Sequence, residues 1–502
     1  MIKQKFFLDF SSKTLRHIFQ AIAGIIVARY AGPSIVGVIA YGAAFVGTFN
    51  FINGLLAPAH IKIVNESNNE GSCNSTFLIL KIVSIVFFCL ATFIFYLISK
   101  YYFDLDLNSN EKKWIIFISS IVIVCQNLIK IPEGIFVAKM QQARINIPYL
   151  LNGLLYNLMR SFLAILGFGA ILLSSIPIIV FFILVPFYFY LLKDIPFDKF
   201  DLRLAKRYLQ LTIPIFIIVF CNAITLNVGR LVLEYFTDTK TLGLFIAGNN
   251  IAGILGLVAG TAGSLFYPLF TKAIKNSENR KIVNYIKGYN RIIFNWIFPV
   301  IIFLCLFNKQ IISTVLGSQY LPASDVFSIL ILSSFLQIWA IPFANLLFSF
   351  DKFNLSAFIS ISKLIIQLLM VIILVHPDIF NLGIISLPIS IISAECFIFI
   401  IRYYYSKKLI SDLFMAKYIL YLFIGLFYYI LFSYLLNILS GNHIYIYILM
   451  NLFFISIFAS MILLGLLNVL DIKNLRRILD FKKMTQYLKK EMNVNSLDTH
   501  NG

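Results

Sequence analysis

Apolar runs about as long as a bilayer is thick constrain this chain more than any motif does. A helix that crosses a membrane needs about 20 predominantly apolar residues. Fourteen segments meet or approach that length: 13–30, 35–60, 76–99, 114–138, 147–172, 176–192, 208–235, 241–270, 291–316, 325–350, 355–375, 383–404, 416–436 and 443–469. The sixth is short, and the turn expected before it, Leu173-Ser174-Ser175, is tight. Composition agrees: 60% of residues are hydrophobic and 13% charged, against roughly 25% charged in a soluble domain. Such a chain belongs in a bilayer, where only helices and closed barrels satisfy the backbone. The expectation is an all-α polytopic membrane protein.

The net charge of +19 could suggest nucleic acid, but the basic residues form no single patch. They fall in short loops and in a tail between the apolar runs. With the N-terminus inside, 30 of the 41 Lys and Arg lie on inside segments, six on outside turns, and five within spans. That bias is the positive-inside pattern, and it puts both termini in the cytoplasm. No nucleic-acid partner is expected. The N-terminus carries Lys3, Lys5, Lys13 and Arg16, and no small-residue cleavage site follows a short apolar core, so it reads as an uncleaved first helix. The six cysteines are scattered without a CxxC pair and read as small apolar residues, not disulfides or a metal site.

Within this pattern, residues Ile25 to Asn53 organise the rest. Ala31-Gly32-Pro33 breaks an apolar helix, and Ser34 can cap the next, which predicts a tight helical hairpin. Leu233–Thr237 followed by Leu242–Gly248 repeats the design. A shift of 206 positions lays Gly37 on Gly243, Gly42 on Gly248, Gly54 on Gly260 and Tyr30 on Phe236. Matching halves in a polytopic chain are a transporter signature. The glycines at 253, 256, 260 and 263 read as small-residue helix packing.

The ARYAGPSIVG hairpin, the Leu265-Phe266-Tyr267-Pro268-Leu269-Phe270 run closing the eighth span, and the fourteen-span layout resemble the polysaccharide transporters. These are the Wzx-type O-antigen flippases of the MATE-like MOP superfamily, and the resemblance covers about residues 10 to 470. It implies two six-helix lobes in a V, residues 1–205 and 206–405, then helices over 406–470 and a basic cytoplasmic tail over 471–502. It further implies a bacterial inner-membrane protein with no cofactor. Its cavity would pass an undecaprenyl-pyrophosphate-linked oligosaccharide between leaflets by alternating access, for O-antigen, lipopolysaccharide, capsule or exopolysaccharide synthesis. Membrane lipids, a polymerase, a chain-length regulator, and H+ or Na+ as coupling ion are the partners it implies.

Ionisable groups inside spans are the sharpest functional signal, since each costs about 2.5–3.5 kcal/mol near a helix centre. They are Lys81, Lys130, Glu133, Arg160, Arg230, Glu234, Lys363 and Glu395. Lys81 and Glu133 lie near the inner ends of their spans and can snorkel. Arg160, Arg230, Lys130 and Lys363 are the candidate ligands of an anionic head group. Glu395, a lone mid-span acid, is the candidate coupling site, with Glu234 beside it in that role. A structural ion pair is the competing reading for each, and Glu234 sits four residues after Arg230. Five bases against three acids suit an anion, and Arg grips phosphate with a bidentate fork. Amides come in pairs along the spans: Asn50 and Asn53, Gln126 and Asn127, Asn152 and Asn157, Asn222 and Asn227, Asn249 and Asn250. They can bond sugar hydroxyls or link helices.

Enzyme readings are poor. No GxxxxGK[ST] is present, so ATP is not the driver. Asp104-Leu105-Asp106 has the spacing of a metal-binding sugar transferase but falls in an outside turn. His17, His60, His376, His443 and His500 form no HExxH. A membrane glycan polymerase would place its site in a large extramembrane loop, and the loops here are short. A MATE-type cation exporter, the other alternative, would need acids to dominate its cavity.

Overall fold

The computed structural model describes residues 2–463, less 68, 103–108, 140, 412, 414–415 and 440–442. The Asp104-Leu105-Asp106 spacing and the tail from Asp471 lie outside the described residues. Among the described residues every regular element is helical. The first half holds α1 (Ile2–Gly47), α2 (Phe51–Gly54), α3 (Leu56–Glu66), α4 (Glu70–Tyr102), α5 (Asn110–Ala138), α6 (Gln142–Ile165) and α7 (Ala170–Leu192). The second holds α8 (Leu202–Phe236), α9 (Thr239–Ala252), α10 (Gly256–Lys275), α11 (Asn279–Ile292), α12 (Phe298–Leu306), α13 (Asn308–Val315), α14 (Ser324–Ser349), α15 (Phe353–Val375) and α16 (Ser386–Leu409). Helices α17 (Ala416–Leu439) and α18 (His443–Leu463) follow. Large apolar side chains such as Phe182, Phe189 and Leu226 stand exposed around the outside, a belt that hydrocarbon covers.

Ten helices among the described residues are long and apolar enough to cross a membrane, not fourteen. The first-hairpin and α6 differences have local causes, and the eighth and last runs include side chains outside those described. One stretch, Leu15–Gly47, contains both limbs of the first hairpin. Helix α6 carries Asn152, Asn157 and Arg160 and is too polar to qualify. The eighth run is split into α9 and α10 by a 3₁₀ turn at Gly253–Leu255. In the last run only Ile448–Ala459 qualifies, as a shorter apolar helix. The turn before α7 also moves: Leu166 caps α6, Gly167 takes a positive φ, and Ser174 lies inside α7.

The first hairpin turns at Gly32, whose φ of 79° and ψ of 168° interrupt α1, a conformation that only glycine adopts without strain. Both limbs then face one cavity, lined by Gln20 from the first and Gly47 from the second. We call the level of Gly32 the upper layer and the start of α1 the lower layer. The 206-residue repeat becomes a contact between halves. A Cβ on Gly37 would sit 1.7 Å from the Thr239 carbonyl oxygen, and one on Gly243 would sit 1.8 Å from that of Pro33. Two helix backbones therefore cross in direct contact at the repeat's own glycines.

Further ties join the halves in the upper layer. Lys112 Nζ donates to Glu234 Oε1 at 2.7 Å. Tyr320 Oη donates to the Ala28 carbonyl at 2.8 Å, and Gln319 to that of Arg29 at 3.1 Å. Helix α8 belongs to both halves. Its lower end packs Tyr208, Leu204 and Leu211 on Leu56, Ile63 and Phe77, with Tyr208 Oη 2.7 Å from His60 Nδ1. Its upper end packs on α15, where Gln367 donates to the Thr225 carbonyl at 3.2 Å. The α17–α18 pair docks on a π-helical turn at Ile293–Ile297 between α11 and α12. There Tyr421 Oη lies 2.5 Å from Asn295 Oδ1, and Gly425 lets Phe298 approach.

Candidate functional site

The second limb of α1 ends at Gly47, well inside its apolar run, and the chain restarts as α2 and α3 after Thr48-Phe49-Asn50. Short polar side chains there compete with the helix for its own hydrogen bonds: Thr48 Oγ1 donates to the Ala44 carbonyl at 2.9 Å. A broken helix inside a membrane must find partners for the groups it frees. Lys81, 1% exposed, donates to the Asn53 carbonyl. Ser84 donates to Asn53 Oδ1 at 3.2 Å, and Asn127 to Asn50 Oδ1 at 3.3 Å. Lys81 thus does not snorkel; it serves the break.

Beside the break lies a cavity of about 480 Å³, walled by α1, α5, α6, α7 and Asn227 of α8. A second cavity, of about 290 Å³, lies between the first limb of α1 and α9. Gln20 and Arg160 line both, so the two adjoin. The charged residues on these linings are Arg16 and Arg160, joined by His17; no carboxylate lines either one. The Arg16 guanidinium carbon lies 3.7 Å from the centre of the Tyr149 ring, and that of Arg160 lies 5.8 Å from the Tyr156 ring. Neither arginine has an ion-pair partner among the described residues. Stacked, unpaired guanidinium groups keep their donors free for a phosphate or carboxylate.

The amide pairs divide between the two roles. Asn50, Gln126, Asn152 and Asn227 line the larger cavity, while their neighbours Asn53, Asn127 and Asn157 are buried among helices. Asn157, for instance, donates to the Gly153 carbonyl at 2.7 Å. Asn249 and Asn250 both line the cavity between the halves. Gly253 lines it too, and neither Gly253 nor Gly256 has anything within 4 Å of a built Cβ. They flank the break between α9 and α10 rather than packing against a helix.

The remaining ionisable residues are placed as follows. Lys130 is exposed on α5 and lines neither cavity, and Glu133 follows it one turn below. Arg230 is half-buried on α8, lines neither cavity, and has no partner among the described residues. Arg160 and Arg230 therefore do not meet in these cavities. Glu234 is paired with Lys112, not with Arg230. Glu395 is not a lone acid: it is paired with Lys363, and Arg402 also acts on its charge. The group that sequence reasoning missed is Arg16, counted there as a loop charge at the inner end of the first span. Its signal was its spacing of four from Gln20, which puts both on one helical face.

The comparisons with known proteins agree with this architecture. The chain matches the family described as polysaccharide biosynthesis protein over residues 13–325. No curated protein matches it. Among solved structures it is similar to "Lipid II flippase MurJ, inward closed conformation", with a TM-score of 0.66, 14% identity, and 91% of this chain and 98% of that chain covered. It is also similar to an inward-facing multidrug resistance MATE family transporter of the MOP superfamily, with a TM-score of 0.65, 16% identity, and 79% and 94% covered. With more than half its length matched, this chain belongs to the polysaccharide biosynthesis protein family.

Proposed function

We propose that the protein flips an undecaprenyl-pyrophosphate-linked oligosaccharide from the inner to the outer leaflet of a bacterial inner membrane, by alternating access and without covalent chemistry. The product would feed O-antigen, capsule or exopolysaccharide assembly. The observation that carries this reading is the paired cavity with two arginines outside any ion pair, several amides and no carboxylate on its lining. Arg16 and Arg160 bind the pyrophosphate, and Asn50, Gln126, Asn152, Asn249 and Asn250 bond the sugars. A cation exporter would need the opposite charge on the same walls. Both termini are cytoplasmic in this reading, which puts the upper layer on the outer side. The lobes are closed there by the Gly37–Gly243 crossing and the Lys112–Glu234 pair, so the cavity loads from below.

The test is surface glycan in a flippase-null strain, with membrane protein level measured in parallel. Arg16→Gln and Arg160→Gln each abolish most export, and Lys in place of either restores part of it, because the charge remains while the planar fork is lost. Normal export by the Arg16→Gln, Arg160→Gln double variant would overturn the reading.

A further inference from the structure

A separate groove of about 490 Å³ lies on the outside of the first half, between α4 and α5. None of its lining residues lines either central cavity. Helix α5 thus presents two faces: Ser119, Val122 and Gln126 line the larger cavity, while Lys113, Phe117, Ser120 and Val124 line the groove. The latter four are spaced by four, three and four residues, the interval of one helical stripe. Cys89, Phe93 and Tyr96 form the facing stripe on α4. The groove opens toward the bilayer, since Phe93 and Phe117 are 59% and 56% exposed. Thr92 Oγ1 donates to the Phe88 carbonyl at 2.7 Å and Ser120 Oγ to that of Ile116 at 2.9 Å. Both hydroxyl groups are therefore committed to their own helices, and the walls between them are apolar.

The two ends of the groove differ. Helix α4 ends at Tyr102 and α5 begins at Asn110, both in the upper layer. Tyr96 and Lys113 accordingly share the upper end of the groove, and Cys89 and Val124 the lower end. Lys113 is the charged residue on the lining, and it has no ion-pair partner among the described residues. Its neighbour Lys112 turns the other way, to Glu234. Trp114 follows, exposed, with its ring edge-on to Phe117 at 6.0 Å, and an exposed tryptophan beside a lysine marks a membrane–water interface. From Lys113 to Val124 the helix rises eleven residues, about 16 Å, close to half of a ~30 Å hydrocarbon core. The groove is one leaflet deep, apolar along its length and cationic at its head-group end.

We propose that this groove binds one anionic phospholipid of the outer leaflet, with its acyl chains along Phe93, Phe117 and Val124 and its phosphate on Lys113. The lysine ammonium is a compact charge that donates to phosphate oxygens, and the Tyr96 hydroxyl stands at the same end. A zwitterionic head group brings an ammonium of its own, which Lys113 repels and no carboxylate on the lining receives. Naming the outer leaflet rests on the orientation adopted above. The site itself does not depend on what the central cavities carry.

The test is native mass spectrometry of the purified full-length protein in detergent, titrated separately with phosphatidylglycerol and phosphatidylethanolamine of the same acyl chains. Wild type should hold its first phosphatidylglycerol at a concentration about fivefold lower than its first phosphatidylethanolamine, the preference that one lysine near an anionic lipid supplies. Lys113→Gln should lose that preference, and Lys113→Arg should keep it. Lys100→Gln removes another cation from the last turn of α4 without touching the groove, and it should bind as wild type. Cys89→Phe fills the lower end and should weaken both lipids alike, which separates chain contacts from head-group contacts. Equal retention of the two lipids by wild type, or a preference that survives Lys113→Gln, would overturn the site. An equal loss in Lys100→Gln would reduce it to a general effect of surface charge. Undecaprenyl phosphate that displaces phosphatidylglycerol one for one at lower concentration, in wild type but not in Lys113→Gln, would assign the groove to the lipid carrier instead. None of these outcomes touches the reading of Arg16 and Arg160, which glycan export tests.

Discussion

At the scale of single residues, the eight ionisable groups inside the spans divide by what each one touches. Lys81, Glu234, Lys363 and Glu395 are committed to partners: a backbone carbonyl at a helix break, or one another's opposites. Arg160 faces an open cavity, and Arg16 joins it from what counts in sequence as a loop. The Lys363–Glu395 pair is mostly buried, with 24% and 4% of the side chains exposed. Removing one member of such a pair strands a charge, at a cost of about 3–5 kcal/mol, whereas removing both is close to neutral. Glu395→Gln alone should therefore lower thermal stability in detergent. The Lys363→Met, Glu395→Gln double variant should recover most of it and retain gradient-dependent export. Export by the double variant that no longer responds to the gradient would return Glu395 to the coupling role.

Helices carry the second level of organisation, and here backbone contact decides more than side chains do. The second limb of α1 and α9 cross with Gly37 against the Thr239 carbonyl and Gly243 against that of Pro33. A methyl group has no space at either site, and neither neighbour is a flexible side chain. Gly37→Ala and Gly243→Ala should each cost more than the ~1–3 kcal/mol of ordinary overpacking, seen as loss of folded protein in fluorescence size-exclusion profiles. Gly24→Ala is the matched control, because nothing lies within 4 Å of its Cβ, and it should express as wild type. Both halves also break their second span at corresponding places, Gly47 and Gly253, which differ by the same 206 positions. The breaks put tightened hydrogen-bonded turns and amides at the cavity walls, where a departure from the regular helix is tolerated because it is buried or faces water.

For the molecule as a whole, the question is what holds the two halves in one arrangement. The upper layer does so with the glycine crossing, with Tyr320 and Gln319 on the carbonyls of α1, and with the Lys112–Glu234 pair, whose side chains are 16% and 6% exposed. If that pair is a tie that must open during each cycle, its polarity is immaterial. Glu234→Lys alone, which sets two cations face to face, should abolish export. The Lys112→Glu, Glu234→Lys exchange should restore it toward wild type when both are normalised to membrane protein level. A failed exchange with normal protein level would mean that Glu234 has a role beyond the tie.

What the sequence determined by itself was everything governed by solvent and local rules. Apolar run length requires membrane helices, Gly32-Pro33 requires a hairpin, and the glycine register exposes the repeat, because each depends only on neighbours in the chain. It also placed Arg160 and the amides within the apolar spans. Only the tertiary structure decided which charges are free. Glu395 and Glu234 look alone in sequence since their partners lie 32 and 122 positions away. Arg16 looks like a loop charge since the walls that make it a cavity residue come from α5, α6 and α7. An ion pair and a binding site differ only in what stands across the gap, and helices distant in the chain supply it.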